Sequence, residues 1–195
     1  ITPTMAASML AGELIWQDDF SDPAPWILGQ TASTSVALGV DELTLALDQP
    51  GAYLYTLRQD GELADFYLEI NASPSLCRGH DEYGLLLRVS PSMDFYRFSL
   101  TCDGQLRLDK YYQGKASSPQ PLMYSGAVPP GAPSTSRLGV WGKGKEMRFY
   151  VNGEYQFTIN DPSLMSGDLG VFIRSNGEDA LTVSFSDLKV YTPIE

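Results

Sequence analysis

Apolar and polar residues alternate with a period of two along most of this chain. The clearest run is Tyr83–Tyr112, YGLLLRVSPSMDFYRFSLTCDGQLRLDKYY. That period predicts three successive antiparallel strands, with turns at Pro91–Asp94 and Cys102–Gly104. Setting Ser90 opposite Phe95 places Leu85, Leu87 and Val89 across from Leu100, Phe98 and Tyr96, which makes one continuous apolar face. At the second turn, a two-residue Asp103-Gly104 loop would pair Leu106 and Leu108 with Thr101 and Ser99 and mix core with solvent. A three-residue loop with Gly104 left-handed pairs them with Leu100 and Phe98 instead. Burial selects this loop, because a slip of one residue turns a whole strand over. The opposite face then presents Gly84, Leu86, Arg88 and Ser90, then Phe95, Arg97, Ser99 and Thr101, then Gln105, Arg107, Asp109 and Tyr111. On it Arg88 falls beside Arg97, and Arg97 beside Asp109.

The same reading extends over the rest of the chain. Strands are expected at Glu13–Phe20, Ser35–Gly39, Glu42–Leu47, Ala52–Leu57, Ala64–Ala72, Ser136–Trp141, Asp168–Arg174 and Leu181–Tyr191. Glu146–Ile159 is a second hairpin, and a bulged turn ending at Gly153 aligns Met147 and Phe149 with Phe157 and Tyr155. Gln113–Ser136 is rich in Pro, Ser and Gly and reads as a long surface loop with a short strand near Leu122–Tyr124. About a dozen short strands with turn punctuation and no clear helix predict an all-β fold, a sandwich or a barrel. Residues 1–12 read as a linker or tail, leaving one domain over 13–195.

Composition narrows the possible partners. The chain has 195 residues, 43% of them hydrophobic, which is enough for one sizeable core. No run of apolar residues is long enough to span a membrane, and the N-terminus lacks the basic and apolar regions of a signal peptide. The net charge of −11 argues against nucleic acid and against anionic membrane surfaces, since both need clustered cations. Few lysines with plentiful Thr, Ser, Gly and Tyr suit an exported bacterial β-protein, so an extracellular or cell-surface location is expected. Cys77 lies in the loop feeding the strand at Tyr83, and Cys102 ends the next strand, so the two are expected to form a disulfide.

Several stretches together resemble a known family: DDFSDPAPW, YGLLLRVS, DFYRFSLTCDGQLRLDKY, RLGVWGKGKEMRFYVNGEYQFTI and DLGVFIRSNGEDALTVSFSDLKVY. In this order they are similar to the concanavalin A-like (laminin G-like) jelly rolls of secreted bacterial proteins, nearest the 3-keto-disaccharide hydrolase-like domains. The likeness runs from Trp16 to Tyr191, and it is carried by turn glycines and hairpin pattern. It implies two curved antiparallel sheets, the concave one often holding a glycan. It also implies that the first and last strands lie side by side. Asp18 or Asp19 would then approach Asp187, a possible calcium site built from loop oxygens. Such a fold does not by itself settle an activity.

The chemistry is sparse. Glycoside hydrolysis needs two carboxylates facing each other across a sugar, and the acidic run of the family's glucanases is absent. Asp109, flanked by arginines on its expected face, is a poor proton donor. A lone histidine, His80, leaves no room for zinc or a nucleophilic triad. The sharpest candidates are Arg88, Arg97 and Asp109 for polar contacts, with Tyr111 as an aromatic wall. Arg174 joins them if its strand lies in the same sheet. The plainer alternative is a structural salt-bridge network. The expectation is a non-catalytic, lectin-like module, tethered to another domain and holding a glycan or other extracellular ligand. A 3-keto-glycoside hydrolase or lyase and a purely structural sandwich remain as alternatives.

Overall fold

A computed structural model describes residues 9–177 and 179–194. The opening strands are β1 (Ala11–Asp18), β2 (Gly29–Gln30), β3 (Thr34–Leu38), β4 (Leu43–Leu47) and β5 (Tyr53–Leu57). The middle of the chain forms β6 (Phe66–Leu76), β7 (Glu82–Val89), β8 (Phe95–Thr101), β9 (Gln105–Tyr112) and β10 (Lys115–Tyr124). The closing strands are β11 (Ser136–Lys143), β12 (Glu146–Val151), β13 (Glu154–Asn160), β14 (Asp168–Arg174) and β15 (Leu181–Pro193). They build two antiparallel sheets. The nine-stranded sheet has the order β13-β12-β11-β6-β15-β4-β3-β2, with β1 paired to β15, and the six-stranded sheet has the order β10-β9-β8-β7-β14-β5. This is a jelly-roll β-sandwich, and the core lies between the sheets.

Alternation explains the core. Tyr83, Leu85 and Leu87 of β7 meet Leu100, Phe98 and Tyr96 of β8, and all six are buried. Phe98 in turn packs on Phe149 and Phe157 from the other sheet, with ring centroids 4.9 and 6.0 Å away. The β8–β9 register is the one burial selects, with Leu100 opposite Leu106 and Phe98 opposite Leu108. The β7–β8 register differs from expectation by two residues, since Leu85 faces Phe98 rather than Leu100. At β12–β13, Met147 meets Ile159 and Phe149 meets Phe157. A two-residue Asn152-Gly153 turn, both residues at positive φ, closes that hairpin, and the irregularity sits between Phe149 and Tyr150 instead of in the turn. Positive φ at both turn residues matches the twist of the strands, and the displaced bulge lets both phenylalanines face inward.

Two further differences concern extent. Lys115–Tyr124 is one ten-residue strand on the edge of the six-stranded sheet, which takes in the short strand expected near Leu122–Tyr124 and extends it back through the expected loop. Its prolines, Pro119 and Pro121, are tolerated there because an edge strand has backbone groups facing solvent. At the N-terminus, Leu10 is fully buried against Tyr67, Trp141 and Tyr150, and its carbonyl accepts the amide of Ile194 at 2.9 Å. The sandwich therefore begins before Glu13, and the rest of the expected tail, residues 1–8, lies outside the described residues.

A polar strap closes one end. Lys110 donates to Asp161 at 2.6 Å, and Ser163 also donates to that carboxylate. Burial pushes the Asp161 carboxyl up, but the bonds from Lys110 and Ser163 more than offset it and hold it below the usual carboxylate range. A depressed folded-state value contributes stability that is present above the unfolded pKa and is lost as pH falls through the folded one. Asp161→Asn is therefore expected to destabilise the fold at neutral pH and to converge on the wild type in strong acid. Chemical denaturation at the two pH values measures this, and an equal gap at both would count against the ion pair.

Candidate functional site

The outward face of the six-stranded sheet collects the charged groups. Arg97 of β8 and Asp109 of β9 are cross-strand partners, and their side chains pair at 2.7 Å. Arg107, also on β9, lies 3.0 Å from Asp109 and reaches Glu82 of β7 at 2.9 Å. Arg174 of β14 is opposite Glu82 and lies 3.8 Å from its carboxylate. Ser118 of β10 donates to the second oxygen of Asp109 at 2.6 Å. The result is one alternating chain, Arg97–Asp109–Arg107–Glu82–Arg174, laid across four strands with an arginine at each end.

Aromatic rings frame it. The Arg97 guanidinium lies 5.7, 5.2 and 5.5 Å from the rings of Tyr53, Tyr111 and Phe172. Phe95 packs on Tyr111 with centroids 4.8 Å apart. Burial works against the Arg97 charge, but the bond to Asp109 and the surrounding negative groups outweigh it and raise its pKa above the ordinary value. Burial also pushes the Tyr53 hydroxyl up, against the opposing pull of Arg97, so that it stays protonated and able to donate. Arg97 itself is only 4% exposed, whereas Tyr53 and Tyr55 are 38% and 41% exposed. The floor is thus sealed by stacked charge and ring, and the tyrosines and outer arginines meet solvent. No side chain fits at Gly84 in the middle of this sheet, since a Cβ there would collide with the carbonyl oxygen of Phe98. On the same face Arg97 Nε, Ser99 Oγ and Arg107 Nε are buried without a hydrogen-bond partner among the described residues.

Arg88 is not part of this face, and its expected place beside Arg97 is taken by Leu86. The strand bulges at Arg88: φ is 52°, and β7 advances three residues from Leu86 to Val89 while β14 advances two. The bulge reverses the side-chain order. Val89 consequently joins Leu86 and Phe172 in an outer apolar cluster. Arg88 turns into the sandwich, 1% exposed, and donates to the carbonyls of Leu164 and Ala64 at 2.9 and 3.0 Å. Burial pushes its pKa down, with Tyr96 and Asp65 acting the other way. It is a structural clamp on the segments beneath it.

The acidic residues near β1 and β15 are engaged locally. The two strands do pair, and Asp19 and Asp187 line one depression of about 360 Å³ together with Asp18 and Asp41. Asp187 pairs with Lys189 at 2.8 Å, and Asp19 accepts from the amide and hydroxyl of Ser21. The Ser21 bonds hold the Asp19 carboxyl below its usual value. Asp18 is held by Trp26 at 3.0 Å and by Arg58 at 3.1 Å. Among the described residues no group of three or more His, Cys, Asp or Glu is placed to hold a metal ion. Cys77 and Cys102 are joined by a disulfide with a Cα–Cα distance of 5.7 Å, and His80 lies beside Asp103 at 3.0 Å in the same loop region.

Sequence reasoning brought Arg97, Asp109 and Tyr111 to one face and held Arg174 as conditional. It did not find Glu82, Tyr53, Tyr55, Phe172 or Ser118 as members of the site. The alternation of Tyr53 and Tyr55 on β5 was the available signal, but only the pairing of β5 with β14 turns it into a wall of this face.

No protein-family model matches the sequence, and no curated protein matches it. Solved structures do match the fold. The carbohydrate-binding module CBM66 from Bacillus subtilis superposes with a TM-score of 0.68 at 14% identity, over 86% of this chain and 95% of that one. A Bacillus subtilis protein of unknown function with a galectin-like fold gives 0.71 at 12% identity, over 95% and 98%. The catalytic domain of an endo-1,3-β-glucanase (laminarinase) from Thermotoga petrophila gives 0.67 at 10% identity, over 95% and 100%. At these identities the likeness establishes the fold, a concanavalin A-like jelly roll shared by carbohydrate-binding modules and glycoside hydrolases.

Proposed function

We propose that this protein is an extracellular glycan-binding module that holds its ligand on the outward face of the six-stranded sheet. The observation that carries the reading is the combination on that face of exposed tyrosines and a partly exposed arginine–carboxylate chain. Sugars are recognised by rings that cover their apolar C–H faces and by planar donors that grip hydroxyl pairs. Tyr53 and Tyr55 supply the first, and Arg107 and Arg174 the second. The two carboxylates orient the arginines: Asp109 already accepts from Arg97 and Ser118, and Glu82 from Arg107. Arg97 and Tyr111 hold the floor rigid. A shallow site of this kind binds weakly alone and gains strength when tethered beside another domain.

Titration of the chain against a panel of neutral and acidic polysaccharides tests the proposal. Tyr55→Ala removes an exposed ring and should weaken binding by about 1 kcal/mol, roughly fivefold, with little change in melting temperature. A panel without a single binder, or a Tyr55→Ala variant that binds as well as the wild type, would rule out this face as a glycan site.

A further inference from the structure

We infer that the ligand of this face carries a carboxylate, as in a uronic or ulosonic sugar, and that Arg174 is the residue that reads it. The inference rests on the glycan-binding reading above and adds the charge of the sugar. The protein as a whole is acidic, with a formal charge of −11. Yet the ion chain at the centre of this face holds three arginines, Arg97, Arg107 and Arg174, against two carboxylates, Glu82 and Asp109. One positive charge is surplus there, and the distances show where it sits.

Arg97 is closed off: it pairs with Asp109 at 2.7 Å and its side chain is 5% exposed. Arg107 bridges both carboxylates, at 2.9 and 3.0 Å. Arg174 stands at the open end. Its side chain is 37% exposed, and its approach to Glu82 at 3.8 Å is longer than a hydrogen bond. The carboxylate it faces is already satisfied by Arg107. A guanidinium in that position offers its planar fork outward, and the matching group is a planar monoanion that can accept two parallel bonds. Tyr53, the cross-strand neighbour of Arg174, supplies a ring surface beside it for the body of the sugar. A single surplus cation also fits a single charge per sugar better than it fits a densely sulfated polymer.

The test is calorimetric titration of the whole chain with oligogalacturonate and oligoguluronate, each compared with its methyl-esterified form, which keeps the sugar and removes the charge. A sulfated galactan and neutral laminarin and levan complete the set. The free acid is expected to bind about tenfold more tightly than the ester, with the preference shrinking at high salt. Arg174→Ala should abolish the preference without lowering the melting temperature, and Arg174→Lys should restore part of it. Equal affinity for acid and ester, tighter binding of the sulfated polymer, or an unchanged preference in Arg174→Ala would overturn the assignment. Binding of neutral glycans alone would overturn it while leaving the glycan-binding face intact. No binding to any member of the set would remove both.

Discussion

Arg88→Ala is expected to destabilise the fold by roughly 3–5 kcal/mol while leaving ligand binding on the six-stranded sheet unchanged. The cost has two parts. The carbonyls of Leu164 and Ala64 lose their donor, and that of Leu164 loses it at a buried position. The departing side chain also leaves a void between the bulged end of β7 and Phe66, whose ring lies 5.9 Å from the guanidinium. Denaturant unfolding gives the stability change, and a titration of the same sample gives the affinity. A variant that keeps its stability but loses binding would place Arg88 on the outer face after all. The paired measurement separates the two geometries, because only one of them makes this arginine part of the interior.

Arg97→Met is expected to cost a similar amount, roughly 3–5 kcal/mol, for a different reason. It leaves Asp109, 6% exposed, with the shared Arg107 and the hydroxyl of Ser118 in place of its own charged partner. It also removes the cation from among the rings of Tyr53, Tyr111 and Phe172. Adding Asp109→Leu should recover part of the loss, since an apolar pair of similar volume removes a buried carboxylate that would otherwise have to share Arg107 with Glu82. A double-mutant cycle measures the coupling. Additive losses from the two single substitutions would show that the pair acts independently, contrary to the geometry. Because Arg97 holds Tyr53 and Tyr111 in place, binding should fall along with stability here, unlike at Arg88.

Together these substitutions assign distinct work to three arginines of similar sequence context. Arg88 fastens loop and strand backbone in the interior, Arg97 stiffens the floor of the outer face, and Arg174 stays available to solvent. The difference lies in what each guanidinium meets: carbonyls, a carboxylate between rings, or an already satisfied carboxylate at 3.8 Å.

The sequence by itself determined an all-β fold, most of its strands, the boundaries of β14 and the β8–β9 register. In that hairpin, glycine at the turn and burial of Leu106 and Leu108 agree on one pairing, and Arg97 and Asp109 follow as neighbours. What a period of two cannot distinguish is a shift by two. Leu85 and Leu87 stay on the core face whether they meet Leu100 and Phe98 or Phe98 and Tyr96, so the β7–β8 register was left to the tertiary structure, as was that of β12–β13. The bulge at Arg88 was equally hidden. Local alternation continues through it unbroken, and it is imposed by the pairing with β14, where Gly167 lies against the Arg88 backbone too closely to leave room for a Cβ. The prolines of β10 hid most of a strand that only an edge position permits. The outer arginine chain needed the sheet order itself. Glu82, Arg107 and Arg174 come from strands far apart in sequence, and they meet because β14 returns to lie against β7, a long-range choice made by core packing.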